Sequence, residues 1–327
     1  MTNTSLAQRS AQRAQFEVVP VAAALGAEIR GIDLTKMDDA AFKSVHAAWL
    51  DNVLLIFRGQ SVSAEDLVHL VRRFGVPVSS SNLHKRDLKE RAGNEIYQLP
   101  PEVTVVSNLR ENGKTVGILG DGEIAWHSDF SFKEAPTAAR MLVAKEIPPL
   151  EKGGNTFFLN GYASYDALSA AQKKRYSGKT IKQGNIVDTA MKLRPGASLE
   201  DDIRYTPGPS HPIISTHPET GGNSLFLGRR HSAYVNGCSL EESEALLDEL
   251  WAHFTQPRFC YTHHWAVGDV VIWDNRCTLH RRDAFDSAER RVLYAAQVEG
   301  HKPFEAPDAL SRPAHPRSKL INVQPHG

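Results

Sequence analysis

Two periods of apolar and polar residues alternate along this chain, and the places where one gives way to the other outline its architecture. After Asp38, residues Phe42, Val45 and Trp49 recur at the three-to-four-residue spacing of one helical face. A second helix is signalled by Ser63, able to cap a first turn, with Asp66 three residues on and the stripe Leu67, Leu70, Val71 and Phe74 behind it. Gly75 supplies its stop. Ser239 and Glu242 repeat the capping pattern ahead of Leu247, Leu250, Trp251 and Phe254. Elsewhere the period shortens. The segment from Phe16 is strand-like, and Val53-Leu-Leu-Ile-Phe57, closed by Arg58-Gly59, reads as a buried strand. Val103–Val106, Met141–Ala144, Thr156–Leu159, Ile213–Ser215, Ser224–Leu227, Val270–Trp273 and Val292–Val298 read as further strands. Helices early and many short strands later argue against βαβ repetition. They predict a mainly β fold with flanking α-helices, a sandwich or jelly roll.

Composition changes this picture only at the edges. Residues 1–16 are polar and aperiodic, so they are expected to form a flexible N-terminal arm ahead of one domain over 17–300. Residues 301–327, mixed in charge and interrupted by proline, are expected to be a C-terminal tail wrapped on the surface. The first sixteen residues lack the apolar core of a signal peptide, and no run approaches the roughly 18 apolar residues of a membrane span. Cys238, Cys260 and Cys277 form no CxxC pair, which points to a reducing, cytoplasmic setting. Lysine plus arginine equals aspartate plus glutamate at 38 each, so charge makes no case for a nucleic-acid partner. A small anion remains possible, because a single local arginine suffices to bind one.

Candidate chemistry concentrates in Ala125-Trp126-His127-Ser128-Asp129-Phe130. On a strand, His127 and Asp129 would project to one side and Ser128 to the other, presenting an imidazole and a carboxylate together. Such a pair needs one more ligand to complete a facial metal set, and alone it is common by chance. His280 has the best setting for the third ligand, since it follows the apolar run and polar turn Gly268-Asp-Val-Val-Ile-Trp-Asp-Asn275. His263 and His264, adjacent on a strand, would face opposite ways and are expected to be structural or exposed.

Eleven residues after His280, Arg291 opens the run Arg291-Val-Leu-Tyr-Ala-Ala-Gln-Val298. With a period of two, Arg291, Leu293, Ala295 and Gln297 share a face. A guanidinium at the head of an apolar face requires an anionic partner, and a dicarboxylate would supply one bidentately. Arg290 would then face outward.

At this point the chain resembles the taurine and 2,4-dichlorophenoxyacetate dioxygenase (TauD/TfdA) family. The matching pieces are Leu55-Ile-Phe-Arg-Gly-Gln60, Arg73-Phe-Gly75, Trp126-His-Ser-Asp129, Gly153-Gly-Asn-Thr156, Trp273-Asp-Asn275, His280 and Arg291. The N-terminal portion and His217-Pro-Glu-Thr-Gly221 look closest to members that cleave phenoxyalkanoates. The resemblance implies a double-stranded β-helix (jelly-roll) core. It implies iron(II) on His127, Asp129 and His280, and the distal carboxylate of 2-oxoglutarate on Arg291 and the Thr156 hydroxyl. The reaction implied consumes 2-oxoglutarate and O2, releases succinate and carbon dioxide, and hydroxylates a small organic substrate, a phenoxyalkanoate or other carboxylic acid. A homo-oligomer is also implied.

The pattern departs from the family where substrate is held. Taurine-type members carry a second arginine four residues beyond the first, and here that position is Ala295. Gln297 on the same face, His84, Phe130, Glu123 and the Gly228-Arg-Arg-His231 run, with Arg230 in it, are the other candidates for substrate contact. A carboxylate at Glu123 would favour a neutral or cationic substrate. An amino-acid or other small-metabolite hydroxylase is the alternative within the family. A non-catalytic binding protein would need no such full set of residues, and a zinc hydrolase lacks an HExxH or HxHxD stretch.

Overall fold

Helix starts in this chain are fixed by side chains that satisfy the free amides of the first turn. The Asp38 carboxylate accepts from the Ala41 amide and opens Asp39–Asn52. Reciprocal capping boxes, Ser63 with Asp66 and Ser239 with Glu242, open Ala64–Phe74 and Leu240–Phe254. All three follow the sequence expectation. The computed structural model describes residues 16–79, 99–190, 192–194, 196–198, 202–231, 233–316 and 318. The arm expected over 1–16, save Phe16, lies outside these residues, as does His84.

Two sheets dominate the described residues. The larger holds eight strands, in the order Glu17–Pro20, Ala27–Arg30, Leu54–Phe57, Val270–Asp274, Ala139–Glu146, Val292–Val298, Thr104–Ser107 and Ile118–Leu119. The smaller runs Cys260–His263, Thr156–Asn160, Thr278–Arg282 and Ile124–His127. Strand neighbours are far apart in sequence and mostly antiparallel, as in a sandwich rather than a βαβ array.

The central strands of the large sheet read as unbroken apolar runs because both their faces are buried. Leu55, Phe57, Met141, Val143, Val270, Ile272, Ala296 and Val298 pack under the two N-terminal helices with Val45, Trp49, Leu67 and Val71. The alternate residues Leu54, Ile56, Leu142, Ala144, Val271, Trp273, Leu293 and Ala295 meet Phe158 of the small sheet. Phe158 and Trp273 touch edge to face at 5.2 Å, so the sheets pack against each other there. A cavity opened at Trp273 would cost about 3–5 kcal/mol, which makes this wall a principal hold on the fold.

The outer face of the small sheet, through Leu159 and Leu279, is covered by Leu246, Leu247, Leu250 and Phe254 of the third long helix. The described part of the C-terminal segment packs against the body through residues 304–315. Ala306 and Ala309 are buried, the Phe304 carbonyl accepts from the Thr216 amide at 2.7 Å, and His315 stacks on Tyr162 at 4.0 Å. Among the described residues, no helix is long and apolar enough to cross a membrane.

Candidate active site

The inner face of the small sheet carries the polar residues that the apolar wall leaves uncovered. In register, His280 lies opposite His127 on one side and opposite Phe158 on the other. Directly paired residues project to the same face, and the two imidazoles come within 4.1 Å, centroid to centroid. Two expectations from spacing need correction. The strand stops at His127, so Asp129 does not share a pleat with it but sits in the following turn. His280 is not beyond a strand end but in the middle of its own strand, Thr278–Arg282.

The turn that delivers Asp129 is shaped by a single amide side chain. Asn275 Oδ1 accepts from the Asp129 amide, and Nδ2 donates to the Asp129 carbonyl, each at 2.9 Å. Nδ2 also donates to the Thr137 carbonyl, and Ser128 Oγ donates to the Asn275 carbonyl. With both sides of its peptide gripped, Asp129 is held where a regular strand would not take it.

The resulting donor set suits a metal ion. Among the described residues, His127, Asp129 and His280 form a buried group whose ligand atoms lie within 4.8 Å of one another. His127 Nε2 is 3.6 Å from Asp129 Oδ1, and His280 Nε2 is 3.8 Å from Oδ2. Nδ1 of His127 is 2.8 Å from the Ala125 carbonyl, which places its proton there and leaves the Nε2 lone pair facing inward. Burial, reinforced by His127, pushes His280 well below the usual imidazole range, so it is a neutral donor. Burial alone would raise the Asp129 carboxyl, but Arg140 above all, with both histidines, holds it well below the usual carboxylate range. Arg140 Nη1 donates to Asp129 Oδ2 at 2.8 Å. Two imidazoles and one carboxylate on one side of a centre form the facial set suited to iron(II) oxygen chemistry.

A second polar cluster gathers around Trp265, from Arg291 beside a strand of the large sheet and Thr156 of the small one. Arg291 is 2% exposed, directly before Val292–Val298, and its Nε is buried without a hydrogen-bond partner. Burial, and then the neighbouring Arg282, push its guanidinium down to about 9, which leaves it protonated at neutral pH. Phe285 and Trp265 flank it, with ring centroids 5.8 and 5.9 Å from its central carbon. Gly154, at φ +84°, lets the side chain pass, because a Cβ there would sit 3.3 Å from Arg291 Nε. Thr156 Oγ1 accepts from Trp265 Nε1 at 2.9 Å. Indole is a donor only, so the Thr156 proton remains available to an acceptor.

The remaining expectations divide. Arg290 faces outward, paired with Glu146. His263 is buried against Asp269, while His264 is exposed and reaches Asn155. Ala295 is buried on the inner face beside Leu293. Gln297 pairs in register with Arg140, and its Oε1 is buried without a partner. Phe130, at φ +56°, packs against Phe132 at 5.6 Å. Glu123 is exposed and lies 3.6 Å from Arg281, where its charge is solvated rather than directed at the site. Arg230 is tied to Glu244 and Asp248 of the third long helix. Its neighbour Arg229 is the buried one.

Residue reasoning missed Arg140 and Trp265, and gave Asn275 and Arg229 only as members of the Trp273-Asp-Asn275 and Gly228-Arg-Arg-His231 runs. Arg140 could have been found by the argument applied to Arg291, since it too is a charge within an apolar strand, Ala139–Glu146.

Comparison with known proteins identifies the family. Residues 17–297 match the family model described as taurine catabolism dioxygenase TauD, TfdA family. The chain is 31% identical to an (S)-phenoxypropionate/alpha-ketoglutarate-dioxygenase of Delftia acidovorans, over 89% of this chain and 97% of that protein. It is 33% identical to a pentalenolactone F synthase of Streptomyces arenae, over 85% and 93% respectively. The crystal structure of a taurine dioxygenase from Burkholderia xenovorans superposes with a TM-score of 0.68 at 30% identity, covering 90% of this chain and 94% of that one. The chain belongs to the TauD/TfdA family and is an alpha-ketoglutarate-dependent (2-oxoglutarate-dependent) dioxygenase, an oxidoreductase.

Proposed function

We propose that His127, Asp129 and His280 hold iron(II), that Arg291 and Thr156 hold the distal carboxylate of 2-oxoglutarate, and that the enzyme hydroxylates a small carboxylic acid of phenoxyalkanoate type. The two sheets are read as the double-stranded β-helix of the family, one domain over 17–300. Three free cysteines support a cytoplasmic location.

One observation carries this reading: a buried triad of two imidazoles and a carboxylate lies in the small sheet and its following turn, and a buried arginine beside the facing sheet has an Nε without a partner among the described residues. Bound to the triad, iron(II) would supply activation of dioxygen coupled to decarboxylation of the cosubstrate. The overall reaction balances as 2-oxoglutarate, O2 and R–H giving succinate, carbon dioxide and R–OH, with one oxygen atom in succinate and one in the alcohol. Where the hydroxylated carbon bears an aryl ether, the hemiacetal formed expels the phenol and leaves a ketone or aldehyde.

The chain's own contribution is positional. Asn275 fixes the Asp129 turn, and Arg140 keeps the Asp129 carboxylate ionised. Trp265 directs the Thr156 proton toward the incoming carboxylate. Phe158 and Trp273 wall the histidines from water, with Trp273 lying 4.8 Å from the His280 ring.

The test is anaerobic addition of iron(II) and 2-oxoglutarate, reading the visible charge-transfer band of the chelate, followed by oxygen and (S)-2-phenoxypropionate with assay of succinate and phenol. We expect a band in the wild type, its loss in His127→Ala, and phenol released together with succinate. A band that survives His127→Ala would sink the ligand assignment, and succinate without phenol would sink the substrate class.

A further inference from the structure

We infer that Arg229 and Arg194 form the grip for the substrate's carboxylate, supplying the charge that Ala295 does not supply from its strand. This rests on the dioxygenase reading above and adds to it the residues that select an acid.

Both arginines lie beside the metal-binding strand and turn. The Gly228 carbonyl accepts from the Ser128 amide at 3.2 Å, which sets Arg229 next to the turn that carries Asp129. The Thr189 carbonyl accepts from the Ala125 amide at 3.0 Å, which sets Thr189 against the His127 strand, and Arg194 N donates to Ile186 O at 2.9 Å, which holds Arg194 close to the same segment. From these two supports the guanidinium groups meet one ring. Arg229 lies 5.0 Å and Arg194 5.4 Å from the centroid of Phe132, three residues past Asp129.

Their electrostatics are incomplete. Arg229 is 6% exposed, donates through Nη1 to the Val187 carbonyl, and has a buried Nε with no partner. Arg194 Nε is likewise buried and unpartnered. Among the described residues, no carboxylate is hydrogen-bonded to either arginine. Burial, and then Arg194, push the Arg229 guanidinium down to about 10, with Asp129 and Asp188 acting the other way. Asp129 cannot serve as the partner, because Arg140 already occupies it and its oxygens face the histidines. Stacking on Phe132 offsets only part of the cost of bringing two like charges together away from water. A planar carboxylate between them would satisfy both.

The site is also built to stay in place. Buried Gln183 accepts from the Arg229 amide through Oε1 at 3.2 Å and donates to the Leu227 carbonyl through Nε2 at 2.8 Å. Gly228, at φ +67°, leaves room for that amide, since a Cβ there would collide with the Gln183 side chain. Arg229 is therefore oriented before any ligand arrives, which limits the entropy lost on binding.

The experiment is calorimetric titration of the anaerobic iron(II)–2-oxoglutarate enzyme with (S)-2-phenoxypropionate and with its primary amide. Wild type, Arg229→Gln and Arg194→Gln are compared. We expect the acid to bind the wild type at least tenfold tighter than the amide. Arg229→Gln should weaken the acid on the order of ten- to a hundredfold, as expected for lost charged hydrogen bonds, and leave the amide unchanged. Arg194→Gln, on the more exposed residue, should act in the same direction by less. It carries the test if Arg229→Gln does not fold. Equal binding of acid and amide, no binding of the acid to the wild type, or acid affinity untouched by either variant would overturn the inference. The chelate band is read in the same samples. Its absence from the wild type marks failure of the underlying metal and cosubstrate reading, while its persistence in the variants shows that the site survives.

Discussion

Arg276, half-buried, and Arg291, fully buried, are cations near the same pair of sheets, yet their surroundings are opposite. Around Arg276 the chain closes its own circuit. Nε and Nη2 reach the two Asp274 oxygens at 2.9 and 2.6 Å, Nη1 reaches Glu219 at 2.7 Å, and His217 Nε2 lies 3.0 Å from Asp274. Burial opposes the charge there, but Asp274 and then Glu219 hold the guanidinium more firmly protonated than it is in water. Around Arg291 the same burial meets another cation, Arg282, and the guanidinium is pushed down. Where the chain supplies every counter-charge, a buried ion pair serves the fold. Where it withholds one, the site is open to a ligand.

The comparison breaks most severely at Arg276. Arg276→Met should destabilise the protein by about 3–5 kcal/mol, because it leaves Asp274 buried without its main counter-charge. The pH dependence has a definite sign. In the wild type Asp274 is held well below the usual carboxylate range, against burial, by Arg276 and His217. Its stabilising contribution is therefore complete above its unfolded value of about 3.9 and is lost as pH falls toward the folded value. In the variant burial prevails and the carboxyl titrates higher, so the deficit should shrink as acid protonates it. Denaturant melts at pH 7 and near pH 4 check this. A deficit of equal size at both values would mean lost packing against Trp49, not lost charge.

Arg291→Gln should do the reverse. With no side-chain hydrogen bond to abandon among the described residues, the unliganded variant should melt at or above the wild-type temperature. The concentration of 2-oxoglutarate needed to form the chelate band should rise roughly a hundredfold, for about 3 kcal/mol of lost charge-assisted hydrogen bonding. Titration of the band beside a thermal melt separates the two effects. A variant that melts several degrees lower with unchanged cosubstrate affinity would place Arg291 in the same class as Arg276.

That contrast also explains what could be read from the sequence. Capping boxes at Ser63 and Ser239 are local chemistry, and their helices start where expected. Val53–Phe57 and Val270–Trp273 could be recognised as buried strands because both faces of the large sheet are covered. His280 and Arg291 stood out as polar residues beside such runs, and His127 through its two-residue spacing to Asp129. Asp129 was identified for an incorrect reason. Its convergence depends on Asn275, 146 residues away, and no periodicity encodes that contact. Arg229 and Arg230 were indistinguishable as neighbours, since only the packing of the third long helix decides which is neutralised at the surface. The substrate end was obscure for the same reason, being assembled from loops whose partners are long-range.

Arg230 gives the mildest test of the same rule. Its guanidinium bridges Glu244 and Asp248, whose side chains are 53% and 75% exposed, so water and salt already screen the pair. Arg230→Ala should change stability by less than about 1 kcal/mol and leave binding of both 2-oxoglutarate and (S)-2-phenoxypropionate within roughly twofold of wild type. Side by side with Arg229→Gln in one titration, it asks whether the unpaired arginine or merely the basic segment matters. A loss of acid binding in Arg230→Ala as large as that in Arg229→Gln would show that the charge of the segment as a whole draws the acid in, and that completeness of a buried arginine's partners does not separate structural from ligand-binding roles here.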